Sequence, residues 1–235
     1  MVQPLTIYSA RVCPWAQRAT LALCEVGAYK NNQVEHVEID LQNKPDWYAS
    51  KVNPASKVPV IRVGAEGDQD TVYIPESGVL LELVADLYSE SGLSPKDPVK
   101  RAEARYYAQR FQDIVNAPLG QLLYQGKADA ASSLFKGVSE WQQFLARYPG
   151  PFLLGEQVTI GDLAVAPFIG RLFSVAKAGL VPAEVNDKLT TDAEFEPFRA
   201  YHDALTSRAS WKETFDEPYI VEKSKARIEA LKKQQ

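Results

Sequence analysis

Cys13 is the residue of this chain with the most chemistry to offer. It stands in Leu5-Thr-Ile-Tyr8-Ser-Ala-Arg-Val-Cys13-Pro14-Trp15-Ala16-Gln17-Arg18, where a short apolar run gives way to apolar residues at helical spacing (Ala16, Leu21, Ala22, Leu23, Val26). The sulfur therefore falls at a strand-to-helix junction. Pro14 suits the first helical position, because the N–H it lacks would have no partner there. The remaining amides of that turn point toward Cys13, and the partial positive charge of a helix N-terminus favours thiolate over thiol. Such a thiolate is a nucleophile. A Cys-x-x-Cys redox pair would need a second thiol at position 16, which is Ala16. The other cysteine, Cys24, lies about 16 Å farther along the helix at ~1.5 Å rise per residue, beyond any disulfide, and reads as a small apolar core residue. A lone thiol that enters a mixed disulfide depends on an external thiol for release, and glutathione is the candidate. The alternative for Cys13 is a buried, inert cysteine at a helix start.

The elements that must position this sulfur follow from residues 1–90. Val34 to Ile39 alternates as a half-buried strand, and Pro45 to Val52 has room for two helical turns. Asn53-Pro54-Ala-Ser-Lys57-Val58-Pro59-Val60 places a proline directly ahead of a strand, which suggests a tight turn with a cis peptide bond before Pro59. Strand Val60 to Val63 turns through Gly64 and Gly67 into Thr71-Val-Tyr73, and Pro75-Glu76-Ser77 opens a helix to about Tyr88. That order of elements is thioredoxin-like.

On these residues the chain resembles the glutathione transferases, and specifically the omega class. The resemblance is carried by Cys13-Pro14-Trp15-Ala16-Gln17-Arg18, Asn43-Lys44-Pro45-Asp46-Trp47, Lys57-Val58-Pro59-Val60, Glu76-Ser77 and Thr159-Ile160-Gly161-Asp162, in the family's order. Trp15 stands where phenylalanine is usual. The resemblance implies an α/β plus all-α fold, a thioredoxin-like N-terminal domain followed by a helical C-terminal domain. It also implies roles. Val58 would pair its backbone with the cysteinyl residue of glutathione beside Pro59. The γ-glutamyl carboxylate would sit on the helix N-terminus at Ser77, and Glu76 would hold the γ-glutamyl ammonium. Lys44 and Lys57 would meet the glycyl carboxylate, and Trp15 would flank the thiol. A second-substrate pocket would involve Arg171, with Tyr124, Trp211 and Tyr219 as aromatic candidates. Each residue also has an ordinary reading: Glu76 and Ser77 as helix caps, Lys44 and Lys57 as solvated lysines, and Trp15 and the other aromatics as packing. Arg18 is read as structural, facing a domain interface or pairing with an acid.

Length and composition favour two domains. The chain has 235 residues, 46% hydrophobic and 24% charged. The expected division is a glutathione-binding domain over 1–90, a linker rich in serine, glycine and proline over 91–98, and an all-helical domain over 99–235 that contributes the second-substrate pocket. An amphipathic helix is expected over Val99 to Val115 with Ala102, Tyr106, Phe111 and Ile114 inward, another over Leu134 to Tyr148, and an apolar one over Leu163 to Ala178. Thr159 and Asp162 form a capping-box pair for that last helix, which is a folding motif. The lysines near the end (Lys223, Lys225, Lys232, Lys233) read as a solvated helix.

A net charge of −4 argues against nonspecific nucleic-acid binding. His36 and His202 lack the neighbours of a metal site. No apolar run approaches membrane-spanning length, no signal peptide is read at the start, and two non-pairing cysteines suit the cytoplasm. A homodimer is expected from the resemblance. The expected function is a glutathione-dependent thiol transferase or reductase working through a Cys13–glutathione mixed disulfide, with deglutathionylation and reduction of dehydroascorbate or glutathionyl ketones as candidate reactions. The alternative is a protein that sequesters aromatic small molecules at the domain interface. A membrane-inserting relative such as a chloride intracellular channel protein, which also carries Cys-Pro, fits less well because the set of glutathione-site residues is complete.

Overall fold

A computed structural model describes residues 3–127 and 129–233. The elements run β1 (Leu5–Ser9), α1 (Pro14–Glu25), β2 (Val34–Glu38), α2 (Asp46–Lys51), β3 (Val60–Val63), β4 (Val72–Pro75), α3 (Ser77–Leu87), α4 (Pro98–Phe111), α5 (Ala117–Gln125), α6 (Ala130–Trp141), α7 (Ile160–Lys177), α8 (Ala183–Thr191), α9 (Glu196–Ser207), α10 (Ala209–Thr214) and α11 (Glu217–Lys232). They form two compact units, one of residues 1–94 with 209–215, the other of residues 95–208 with 216–235. The division falls at Ser94/Pro95, within the segment rich in serine, glycine and proline.

The first unit is built on a sheet of order β2-β1-β3-β4. β1 lies parallel to β2, with Ile7 opposite His36, and antiparallel to β3, with Ile7 opposite Ile61. All five residues of this central strand are buried, and its polar Thr6 is satisfied by Arg62 Nη2, which donates to the hydroxyl at 2.8 Å. α1 and α3 bury Leu21, Leu23, Leu80, Leu81 and Val84. On the sheet's other flank Tyr8, Ile39, Tyr48, Val52 and Val60 form a separate apolar cluster. The short α10 belongs to this unit: Gln17 Nε2 donates to Thr214 Oγ1 at 3.4 Å, and Ser210 Oγ donates to Glu25.

The second unit is helical, centred on Trp141, whose indole N–H donates to the Tyr107 carbonyl at 2.9 Å and whose ring meets Phe111, Phe198 and Tyr201. Its first helix corrects the sequence expectation in two ways. The inward face is Ala104, Tyr107 and Phe111, while Ala102 is exposed and Tyr106 is 56% exposed. Gly161 fixes that rotation, because a Cβ there would stand 3.1 Å from Ala104. The helix also widens into a π turn over Gln112–Asn116. Pro118 has no N–H to offer the Ile114 carbonyl four residues back, so α-helical pairing fails there. That carbonyl is where α6 comes down: a Cβ at Gly137 would meet it at 1.8 Å. The helix expected over Leu134–Tyr148 starts earlier, as α6, and tightens to a 3-10 turn at Gln142–Ala146. α7 begins at Ile160, not Leu163, because Thr159 caps it. The capping box forms as expected, with the Thr159 N–H and hydroxyl each 2.8 Å from Asp162 Oδ2.

Candidate active site

Cys13 occupies the position just before α1, in extended backbone with φ −84° and ψ 117°. Its N–H donates to the Ala10 carbonyl at 2.9 Å, and its own carbonyl accepts from Gln17 N–H at 3.1 Å. Pro14 is the first residue of the helix, so the turn behind the sulfur is fixed at both ends. The thiol is half-buried and opens into a cavity of about 540 Å³.

Besides α1 and the segment of Leu41 and Lys44, the cavity is lined by the loop that leads into β3 and by the end of β4 with the start of α3. Val58–Pro59 is a cis peptide bond, as the sequence suggests, and leads directly into β3. The loop before it is held by side chains. Asn53 Nδ2 and the Tyr48 hydroxyl both donate to the Lys57 carbonyl, at 2.9 and 2.8 Å, and Lys44 Nζ donates to the Ser56 carbonyl. An ammonium has three donors, so this bond leaves Lys44 able to meet an anion as well. At the far side Glu76 precedes α3 with φ +75°, a region that strongly favours glycine. Holding glutamate there costs on the order of 1–3 kcal/mol, a kind of strain that clusters at ligand sites. Ser77 begins α3, is buried, and accepts from Arg18 Nη1 at 3.2 Å.

All eight residues assigned to Cys13 chemistry or glutathione by the resemblance, namely Cys13, Trp15, Lys44, Lys57, Val58, Pro59, Glu76 and Ser77, line this one cavity. Trp15 is 40% exposed, which sets aside its reading as core. Arg18, Asn53 and Ser56 join the lining without having been singled out for it. Asn53 carried a usable signal, since asparagine before proline marks a turn that its side chain can brace. Arg18 is 7% exposed, stacked 4.5 Å from the centroid of Trp15. Burial pulls its guanidinium down to about 10, and the charge of Cys13 acts in the opposite sense.

The four residues proposed for a second substrate are not among those lining this cavity. Tyr124 carries the Arg227 guanidinium over its ring at 4.3 Å, Arg171 Nη1 donates to the Pro167 carbonyl, and Tyr219 N–H donates to Asp216 in the cap of α11. These three belong to the second unit, whereas Trp211 belongs to the first and stacks on Phe215 at 4.2 Å. Among the described residues no group of three or more His, Cys, Asp or Glu side chains is placed to hold a metal ion.

Cys24 is half-buried, not a core residue, because its thiol turns toward α10 and donates to Glu213 at 3.6 Å. Burial, and then the Glu213 carboxylate, push that thiol up to about 12. At pH 8 its ionised fraction is on the order of 10⁻⁴. Iodoacetamide is therefore expected to add one carbamidomethyl group to the folded protein, at Cys13. In Cys13→Ser, labelling should wait for unfolding or strongly alkaline pH; rapid labelling of folded Cys13→Ser at pH 8 would contradict the assignment.

Glu76 supports a second test. Glycine relieves the positive φ but removes the carboxylate that the resemblance assigns to the γ-glutamyl ammonium. Glu76→Gly is expected to unfold no earlier than the parent while binding glutathione at least about tenfold more weakly. Calorimetry and titration read the two effects separately, and a variant that loses stability but keeps its affinity would reverse the argument.

Known proteins resemble this chain over most of its length. The sequence family described as Glutathione S-transferase, N-terminal domain, matches residues 7–92, and that described as Glutathione S-transferase, C-terminal domain, matches residues 104–204. Pyrimidodiazepine synthase of Drosophila melanogaster is 30% identical over 168 residues, 72% of this chain and 65% of the relative, so the chain spans slightly less than two thirds of that protein. The probable cytosolic glutathione S-transferase DHAR1 of Oryza sativa subsp. japonica is 29% identical over 204 residues, 86% of this chain and 83% of the relative. Among solved structures, glutathione transferase Omega 2C of Trametes versicolor superimposes with a TM-score of 0.87 at 36% identity, covering 96% of this chain and 99% of its own. The chain belongs to the glutathione S-transferase family and, within it, to the omega class.

Proposed function

We propose that this protein is a glutathione-dependent thiol transferase and reductase in which Cys13 is the nucleophile. The observation that carries the reading is the meeting of a cysteine at a helix N-terminus, without a second cysteine in reach, with donors suited to a tripeptide that bears two carboxylates and one ammonium. Ser77 and the α3 amides suit the γ-glutamyl carboxylate, and Glu76 suits its ammonium. Val58 offers backbone to the cysteinyl residue beside Pro59, and Lys44 with Lys57 suits the glycyl carboxylate. Trp15 flanks the sulfur.

The Cys13 thiolate attacks the glutathionyl sulfur of a mixed disulfide. A Cys13–glutathione disulfide forms, the original S–S bond breaks, and the other thiol leaves as thiolate. A second glutathione thiolate then attacks the adduct, releasing oxidised glutathione and restoring Cys13. Each cycle oxidises one reduced glutathione, which leaves joined to the substrate's glutathionyl group, and returns the other half of the substrate as a thiol. Dehydroascorbate and glutathionyl ketones are candidate substrates on the same logic, since each ends in a Cys13–glutathione disulfide for glutathione to clear. A thiolate that captures glutathione in a disulfide is poorly suited to activating it by hydrogen bond. Cytosolic location, a homodimer and the 1–90, 91–98 and 99–235 division belong to the same reading.

The test compares rates on a glutathionylated peptide and on 1-chloro-2,4-dinitrobenzene. Turnover of the peptide with negligible conjugation of the aromatic chloride is expected. The reverse pattern would show a conjugating transferase. Tight binding of aromatic ligands by the parent and Cys13→Ser alike, without glutathione, would favour the ligand-sequestering alternative.

A further inference from the structure

Arg18 lies deeper in the site than a surface arginine that merely pairs with an acid. Its side chain lines the Cys13 cavity, its guanidinium lies against Trp15, and its Nη1 donates to Ser77 Oγ across 59 residues of sequence. Donor and acceptor are both buried, at 7% and 6% exposure. Burying a guanidinium is costly unless it is compensated, and the sense in which Cys13 acts on Arg18 is compensating. Arg18 and Cys13 line one cavity, and a cation that shares a cavity with a sulfur favours the thiolate as much as the thiolate favours the cation.

The bond to Ser77 has a separate consequence. A hydroxyl that accepts from a guanidinium keeps its own hydrogen for another acceptor. Ser77 opens α3 and lines the cavity, so that hydrogen joins the helix N-terminal amides in facing an anion. We propose that Arg18 is a positioning residue for both halves of the site, favouring the Cys13 thiolate by its charge and setting the Ser77 hydroxyl as a donor to the γ-glutamyl carboxylate. The proposal rests on the glutathione reading above. Arg18 thereby ties nucleophile to anchor, and the site should prefer ligands whose γ-glutamyl α-carboxylate is free over those in which it is amidated.

Arg18→Met and Arg18→Lys test this with two readouts. The first is the rate of Cys13 alkylation by iodoacetamide, without glutathione, at about pH 6.5 and about pH 10. Arg18→Met is expected to lose at least about tenfold at the lower pH and to come within about threefold of the parent at the higher; Arg18→Lys, which keeps the charge, should stay within about threefold at both. The second is the affinity ratio for S-methylglutathione over its γ-glutamyl α-amide, which both variants should lower at least about threefold because neither keeps the guanidinium fork. An equal loss of alkylation at both pH values in either variant would show a structural role and overturn the proposal, as would parental rates in Arg18→Met or an unchanged affinity ratio. If Arg18→Met does not fold, Arg18→Lys decides alone: alkylation kept with the ratio lowered supports the proposal, and any other result overturns it. Failure of the glutathione reading is distinguishable, because the parent protein would then acquire no glutathione adduct at all.

Discussion

Cys13→Ser is expected to reduce glutathione-dependent turnover of mixed disulfides to the uncatalysed background, a fall of at least about 10³-fold. Serine keeps the size and the position before α1, and nothing in the backbone contacts of Cys13 with Ala10 and Gln17 depends on the sulfur. The fold should therefore survive. What disappears is the only atom in the cavity able to form a disulfide, since Cys24 lies at the other end of α1 with its thiol turned to Glu213. Retained binding of S-methylglutathione by Cys13→Ser would show that the loss is chemical. Residual turnover above about one tenth of the parent rate would mean that another group carries the reaction.

The largest stability effect is expected at Asp162. Its carboxylate is fully buried and accepts four hydrogen bonds, from Thr159 N–H, Thr159 hydroxyl, Leu153 N–H at 2.9 Å and the Tyr201 hydroxyl at 2.8 Å. Burial pushes the carboxyl upward, and the four donors pull the other way. Asp162→Ala removes the common acceptor and leaves the donors facing an apolar cavity, with each unpaired group costing roughly 1–3 kcal/mol before relaxation. Since the site relaxes in part, a net loss of about 3–5 kcal/mol is expected, or on the order of 10 °C in midpoint temperature for a chain of this length. Urea denaturation followed by tryptophan fluorescence reads it. A loss below about 1 kcal/mol would show that these bonds are readily replaced by water. The effect is on folding, as the capping-box reading of Thr159 and Asp162 requires.

The legible part of this protein is the part written in short-range chemistry. Proline after Cys13, the Val-Pro pair ahead of β3 and the Pro-Glu-Ser opening of α3 each fix a local backbone event, and the sheet brings all three to one cavity. Less legible were features that depend on another element's surface. The inward face of α4 is set by Gly161 meeting Ala104, and α6 settles on the Ile114 carbonyl through Gly137; neither contact has a periodicity to read. Cys24 fits an apolar helical pattern and departs from the core only because α10, nearly two hundred residues later, presents Glu213. The bond from Arg18 to Ser77 has no signal in the segment around Arg18 for the same reason, since Ser77 lies on a different helix.

The central claim is that Cys13 alone alternates between thiolate and glutathione disulfide. Intact-protein mass after oxidised glutathione, and again after reduced glutathione, tests it most directly on the parent and on Cys13→Ser. The account predicts one glutathione adduct on the parent, cleared by reduced glutathione, and none on the variant. No adduct on the parent, or an equal adduct on Cys13→Ser, would contradict it.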